Sequence, residues 1–329
     1  MKMSNLAAAL TLIASLGSVQ AQTSSYSDIV GYETKALPAN TYTSIGINLM
    51  NPDLLVSSIA SASSTALSVS GSSNVGALLT PTEPYYVEIK SGSAEGARLD
   101  VDVAATIAAA NGTIVINAAS YNNTDPLSSI SGSLAGASVA LRKHVTLNDV
   151  GASITGLTAG ASGTGDEILL LDAASGGFQT YLRRSSTTWR DANNTTVNTL
   201  PIPPGTGIIV NKRAVAGSLT TTGSVRANNF ALNTVAGYQL VTLGYPLDRS
   251  PNDIGADNVA NGWTSGVTGD SFMLLNSAGG FDKYLFRTST SWRDANNTTV
   301  TTTKFLVSGV SYVLFRNASG NFDFVKPTF

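Results

Sequence analysis

Residues 176–200 read GGFQTYLRRSSTTWRDANNTTVNTL, and residues 279–303 read GGFDKYLFRTSTSWRDANNTTVTTT. The string WRDANNTTV recurs unchanged at Trp189–Val197 and Trp292–Val300, which marks a duplication. The likeness continues upstream. Asn148-Asp149-Val150-Gly151 matches Asn252-Asp253-Ile254-Gly255, and Thr164-Gly165-Asp166 matches Thr268-Gly269-Asp270. Downstream, Pro204-Gly205-Thr206-Gly207-Ile208-Ile209-Val210 parallels Ser308-Gly309-Val310-Ser311-Tyr312-Val313-Leu314. A spacing of about a hundred residues is too long for a solenoid and suits domain-sized units.

Outward from these motifs the chain reads as strands. Glu167–Leu171, Gln179–Arg183, Gly207–Asn211, Gln239–Leu243, Phe272–Leu275, Lys283–Phe286, Ser311–Phe315 and Asn321–Val325 carry the short apolar or alternating pattern of half-buried strands. Thr43-Ser44-Ile45-Gly46-Ile47-Asn48-Leu49 resembles Gln239–Tyr245 as the opening strand of a module. Asn111-Gly112 ahead of Thr113-Ile114-Val115-Ile116 reads as a hairpin turn, because both residues tolerate positive φ. Helical signals are confined to Pro52–Ala60 and Val103–Ala110. The expected fold class is all-β, with tandem β-sandwich or barrel-like modules and an internal duplication. The expected divisions are a signal peptide over 1–21, an N-terminal β module over 22–124, and repeat modules over 125–221 and 222–329.

The leader reading rests on Lys2, the short apolar run Leu6–Leu16, and Val19-Gln20-Ala21, whose small residues at 19 and 21 place a signal-peptidase cut after Ala21. That run is shorter than the roughly 20 residues that a membrane helix needs. The expectation is therefore an exported protein, extracellular, periplasmic or at the cell surface, with no membrane span after cleavage.

Composition removes several functions. The chain has no cysteine, so it has neither disulfides nor a thiolate site. Charged residues make up 12%, with a formal net charge of -2, which is no surface for nucleic acid. His144 is the sole histidine, and no Gly-x-Ser-x-Gly elbow accompanies it. Gly160–Gly165 lacks the Gly-Lys-Ser/Thr ending of a phosphate loop. Asp166, Asp172 and Asp191 are a conceivable calcium set, yet Asp172 becomes Asn276 in the other copy. A pair of acids suited to glycoside hydrolysis stays open. No cofactor and no catalytic residue are expected, and the chain reads as non-enzymatic.

The duplicated corner admits two roles. In the first, Trp189 and Trp292 close the ends of two cores and the Arg-Asp-Ala-Asn-Asn segments make turns, since Asn tolerates the left-handed region. In the second, Tyr181, Trp189, Arg190, Tyr284, Trp292 and Arg293 form a ligand platform, such side chains being enriched at binding hot spots. The first reading gives a structural or adhesive surface protein whose partners are other copies of itself. The second gives a carbohydrate-binding or carbohydrate-degrading protein whose partners are surface glycans.

Pro84-Tyr85-Tyr86-Val87-Glu88-Ile89-Lys90-Ser91-Gly92-Ser93-Ala94-Glu95-Gly96 carries a family resemblance. With Thr222-Gly223-Ser224-Val225 and the two Tyr…Trp-Arg motifs, it resembles an uncharacterised family of exported paralogous proteins from verrucomicrobial-type bacteria. The resemblance covers nearly all of the chain beyond the leader and implies export and an all-β build, but no activity. It departs where Ser308-Gly309-Val310 stands in place of a Pro-Gly-x-Gly turn.

Overall fold

The computed structural model describes residues 29–71, 74–120, 122–172, 176–276, 280–324 and 326–327. The expected signal peptide lies outside the described residues. The chain opens with β1 (Val30–Leu37) and β2 (Thr41–Gly46). It continues through β3 (Asp53–Ala62), β4 (Ala66–Val69), β5 (Tyr85–Ile89), β6 (Arg98–Asp100), α1 (Val103–Ala108), β7 (Thr113–Val115), α2 (Leu127–Ile130) and β8 (Ser138–Lys143). Next come β9 (Val145–Thr146), α3 (Leu147–Ala152), β10 (Glu167–Asp172), β11 (Gly177–Ser185), β12 (Thr188–Arg190), β13 (Pro201–Ile202), β14 (Gly207–Lys212) and β15 (Gly217–Ser224). The remainder is β16 (Phe230–Thr234), β17 (Gly237–Val241), β18 (Ser271–Leu275), β19 (Phe281–Thr288), β20 (Ser291–Arg293), β21 (Tyr312–Arg316) and β22 (Gly320–Phe324). The fold is all-β, and its paired strands run antiparallel.

Two five-stranded sheets repeat one order: β12-β11-β10-β14-β2 and β20-β19-β18-β21-β17. Each has a two-stranded ribbon beside it, β1-β15 in the first copy and β16-β22 in the second. The strand matching is therefore β1 with β16, β2 with β17, β10 with β18, β11 with β19, β12 with β20, β14 with β21 and β15 with β22. Separate apolar cores fill the two copies, one around Trp189, Ile168 and Val210, the other around Trp292, Phe272 and Leu314.

This pairing divides the chain differently from the sequence expectation. β1 and β2 belong to the first repeat, because they pair with β15 and β14 across most of the chain. Residues 52–143 are an insert with a sheet of its own, β6-β5-β8-β3-β4-β7, and an apolar core of its own. The boundary expected at 124/125 falls inside that insert. Thr43–Leu49 and Gln239–Tyr245 do occupy matching places, yet Thr43–Leu49 opens the first repeat and not a third unit.

Two local expectations fail. Pro52–Ala60 gives strand β3, with Leu54 and Val56 exposed and Leu55 and Ile59 packed inward, a period of two that a helix cannot serve. Asn111-Gly112 joins α1 to β7 and not two strands, although Gly112 takes the expected positive φ of 75°. No helix among the described residues is long and apolar enough to cross a membrane.

The two large sheets meet face to face. Leu169, Leu171 and Ile209 pack against Leu240, Met273 and Val313. The contact is isologous, related by an approximate twofold axis inside one chain. The Gly46 N–H donates to Gly309 O at 3.0 Å, and the matching Thr242 N–H donates to Gly205 O at 2.9 Å. At the axis, Ser311 stands against the matching Gly207, where a Cβ would fall 2.2 Å from its own.

Candidate functional site

The duplicated corner is a hairpin built twice. Arg183 pairs with Trp189 and Phe286 with Trp292, and a bulge follows in each copy. The bulge turns both indoles into the cores, where neither has exposed surface. Trp292 donates from Nε1 to Ala256 O at 2.7 Å and lies against Phe286, Phe272 and Trp263. Trp189 lies under the Arg183 guanidinium, 5.2 Å from its ring centre, and its Nε1 is buried without a partner. The Asn-Asp-x-Gly match belongs to the same corner. Thr146 and Asp149 cap α3 reciprocally, Ser250 and Asp253 repeat the exchange, and a Cβ on Gly151 would sit 2.5 Å from Trp189 Nε1.

The rest of the motif makes the turn. Asn194 and Asn297 hold φ of 62° and 61°, a region that Asn enters more readily than most side chains. The Asp191 and Asp294 carboxylates accept the backbone N–H groups of Thr195 and Thr298 at 2.7 and 2.8 Å. Arg190 and Arg293 donate to the carbonyls of Asn194 and Asn297. The expected ligand platform is thus corrected: Trp189 and Trp292 present no face, and Arg190 and Arg293 each hold a turn carbonyl. Tyr284 stacks on Phe305 at 3.9 Å between ring centres. Two of the six line clefts: Arg190 borders a shallow one beside its own turn, and Tyr181 lines one where burial first, and then the charges of Asp191 and Asp172, raise its phenol pKa.

Clefts flank the inter-sheet contact on both sides of the axis. One, of about 340 Å³, lies where both repeats meet the insert, and its lining includes Arg98, Asn122, Asp172, Gln179, Tyr181 and Gln239. Its counterpart, of about 780 Å³, is lined by Lys35, Tyr42, Phe178, Leu275, Asn276 and Val310 among others. Asp172 and Asn276 occupy matching positions, as do Leu171 and Leu275. The insert makes the difference, since its Arg98 and Asn122 wall only the smaller cleft.

One buried ion pair recurs in the two repeats. Asp166 meets Lys212, and the matching Asp270 meets Arg316 at 3.4 Å. Each aspartate also accepts two backbone N–H groups, which accounts for the aspartate of the repeated Thr-Gly-Asp. The conceivable calcium set does not assemble, and no cluster of three metal-ligating acids or histidines occurs among the described residues. His144 Nε2 lies 2.8 Å from Asp100 Oδ1, and Ser120 Oγ donates to Asp100 Oδ2 at 2.6 Å. The serine therefore bonds the carboxylate and not the imidazole, unlike a nucleophilic triad. Burial opposes ionisation of Asp100, but bonding to His144, with Ser120 and Asn122, outweighs it and holds the carboxyl below its usual pKa.

Sequence reasoning missed the charged seam between insert and repeats. Glu88 is wholly buried in β5, with Arg226 and Arg142 as ion partners and Asn228 donating to it at 3.2 Å. Arg142 also reaches Asp53 at 2.7 Å. Arg98 donates to the carbonyls of Pro204 and Ala231 and lies 4.5 Å from the Phe230 ring centre, while burial lowers its pKa to about 10. The available signal was Glu88 within Tyr-Tyr-Val-Glu-Ile: a carboxylate in an otherwise apolar strand demands a buried counterion.

No family model, no curated protein and no solved structure matches this chain.

Proposed function

We propose that the chain is an exported, non-enzymatic protein of the cell surface or extracellular space, with a structural or adhesive role. One observation carries this reading: the duplicated motif is framework in both copies, down to the buried indoles and the arginine-held turns. A composition rich in Ser, Thr, Asn and Gly, the leader-like N-terminus and the resemblance to exported paralogues support it further. Membership in that family is part of the proposal. Fractionating the native cells tests it. The protein is expected outside the cytoplasm with Gln22 as its first residue. Recovery from the cytosol with residues 1–21 intact, or turnover of a polysaccharide panel, overturns it.

The smaller cleft favours a second reading, a neutral saccharide as ligand. Amide groups of Asn122, Gln179 and Gln239 line it with the half-buried Tyr181, a set suited to hydroxyl groups and a sugar face. Binding on a glycan array that Gln179→Ala removes supports this reading, and an empty array refutes it.

A further inference from the structure

The approximate twofold exposes an unequal pair of edges. In the second repeat the insert covers the free side of β16. Ala231 donates its N–H to Gly96 O at 3.2 Å, its carbonyl accepts Arg98 Nη2 at 2.7 Å, and the Asn229 N–H reaches Glu95 Oε1 at 2.9 Å. The matching strand of the first repeat is β1, and the second repeat carries no insert to cover it. The ribbons align through Leu37 opposite Gly217 and Thr234 opposite Gly320, so Thr34 corresponds to Ala231.

β1 pairs with β15 in unbroken register from Val30 to Leu37, about 27 Å at ~3.4 Å per residue. Its other edge takes no backbone hydrogen bond among the described residues. Among the described residues no proline, bulge or covering segment blunts it, and its two charges, Glu33 and Lys35, are opposite in sign. Its outer face is apolar at one end, with Val30 71% and Tyr32 78% exposed. Thr34 Oγ1 and Thr220 Oγ1 approach to 3.0 Å, as in a non-hydrogen-bonded cross-strand pair. The backbone groups of Thr34 therefore point to the open edge, as those of Ala231 do.

We propose that β1 pairs antiparallel with β1 of a second copy, forming a continuous β15-β1-β1-β15 sheet about a twofold axis at Thr34. The strand is self-complementary in this register. Thr34 faces Thr34, Tyr32 faces Ala36, and Glu33 faces Lys35 of the other copy on both sides of the axis. The contact is isologous and closes at two copies. It deepens the structural role proposed above by naming its partner. The two fail separately: cytosolic retention leaves the pairing intact, and a monomeric chain leaves export intact.

Sedimentation equilibrium over a concentration series tests the pairing. The wild-type chain is expected to dimerise reversibly. Thr34→Pro removes the outward N–H without touching the β15 ladder, and is expected to abolish the dimer. Lys35→Glu and Glu33→Lys each set like charges opposite at both pairs and weaken it about tenfold. An equimolar mixture of those two variants regains the wild-type dimer. Glu33 also accepts the Ser308 hydroxyl, so thermal melts accompany each variant, and Lys35→Glu with Thr34→Pro carries the test if Glu33→Lys fails to fold. A wild-type chain monomeric throughout overturns the pairing. So does a dimer that survives Thr34→Pro and Lys35→Glu.

Discussion

Trp189 and Trp292 stand at the head of identical strings, yet the structure sets unequal costs for the same substitution. Trp292→Phe loses the bond from Nε1 to Ala256 O and leaves that carbonyl buried and unpaired, at a cost of about 1–3 kcal/mol. The smaller ring leaves a partial cavity, adding roughly 1 kcal/mol. Trp189→Phe incurs the same cavity but removes a donor that is already buried without a partner. Relieving that donor offsets the cavity, and the net change is about 0–1 kcal/mol. The two variants should therefore differ by roughly 2 kcal/mol, a large fraction of a marginal stability. Urea unfolding followed by far-UV circular dichroism reads the difference as a shift in midpoint at constant slope. Equal costs in the two copies would refute the contrast between a paired and an unpaired indole N–H. An unchanged midpoint together with loss of a glycan ligand would refute the framework reading of the corner.

Gly207→Ser places a Cβ 2.2 Å from that of Ser311 and should destabilise by about 1–3 kcal/mol, read from the urea midpoint. Asn194→Ala and Asn297→Ala each put an alanine at positive φ and should cost about 1 kcal/mol, whereas the Gly variants stay near wild type in thermal melts. Asp100 and Asp253 have folded pKa values below the unfolded carboxylate value. Their contribution is complete above that value and lost as pH falls through the folded one, so the urea midpoint should drop below about pH 4. Asp100→Asn should make that acid slope shallower. Deleting residues 52–143 and joining Asn51 to His144 should leave both repeats folded by circular dichroism, since the second repeat makes the same loop without an insert. The uncovered β16 edge should then make the variant associate in sedimentation, and a wholly unfolded product counts against the division into repeats and insert.

The all-β class and the strands of the two repeats were legible because their signals are local. The aromatic and apolar run in Ser311–Phe315, like Tyr181-Leu182 in Gln179–Arg183, specifies a strand wherever its partner lies. The corner was legible for the same reason, since Asn at positive φ and an aspartate accepting nearby N–H groups act within five residues. The insert was not legible. β1 and β2 join the first repeat through pairing with residues far along the chain, and period-two patterning does not say which strand is a neighbour. The choice between platform and framework was equally hidden. It depends on which way a bulge turns one indole, and no residue type in the motif encodes that direction.

The axis shows what joining the copies in one chain permits. In a symmetric dimer each residue on the twofold meets itself, so one side chain must suit both sides of the contact. Here the matching positions differ: Gly207 faces Ser311, and a Cβ on Gly46 would sit 2.5 Å from Thr242 Oγ1. Glycine on both sides would leave a gap at each place, and the larger residue on both would collide. One glycine beside one hydroxyl side chain fits, and the hydroxyl finds partners there: Ser44 Oγ lies 2.7 Å from Ser311 Oγ, and Thr242 donates to Asn48 Oδ1 at 2.6 Å. The insert follows the same logic at larger scale. Its Glu95–Arg98 segment covers β16 of the other repeat, so one insertion blunts one edge of a pair and leaves β1 as the open member. The asymmetry that fits the two sheets together inside the molecule is thus also what leaves a single strand free to pair outside it.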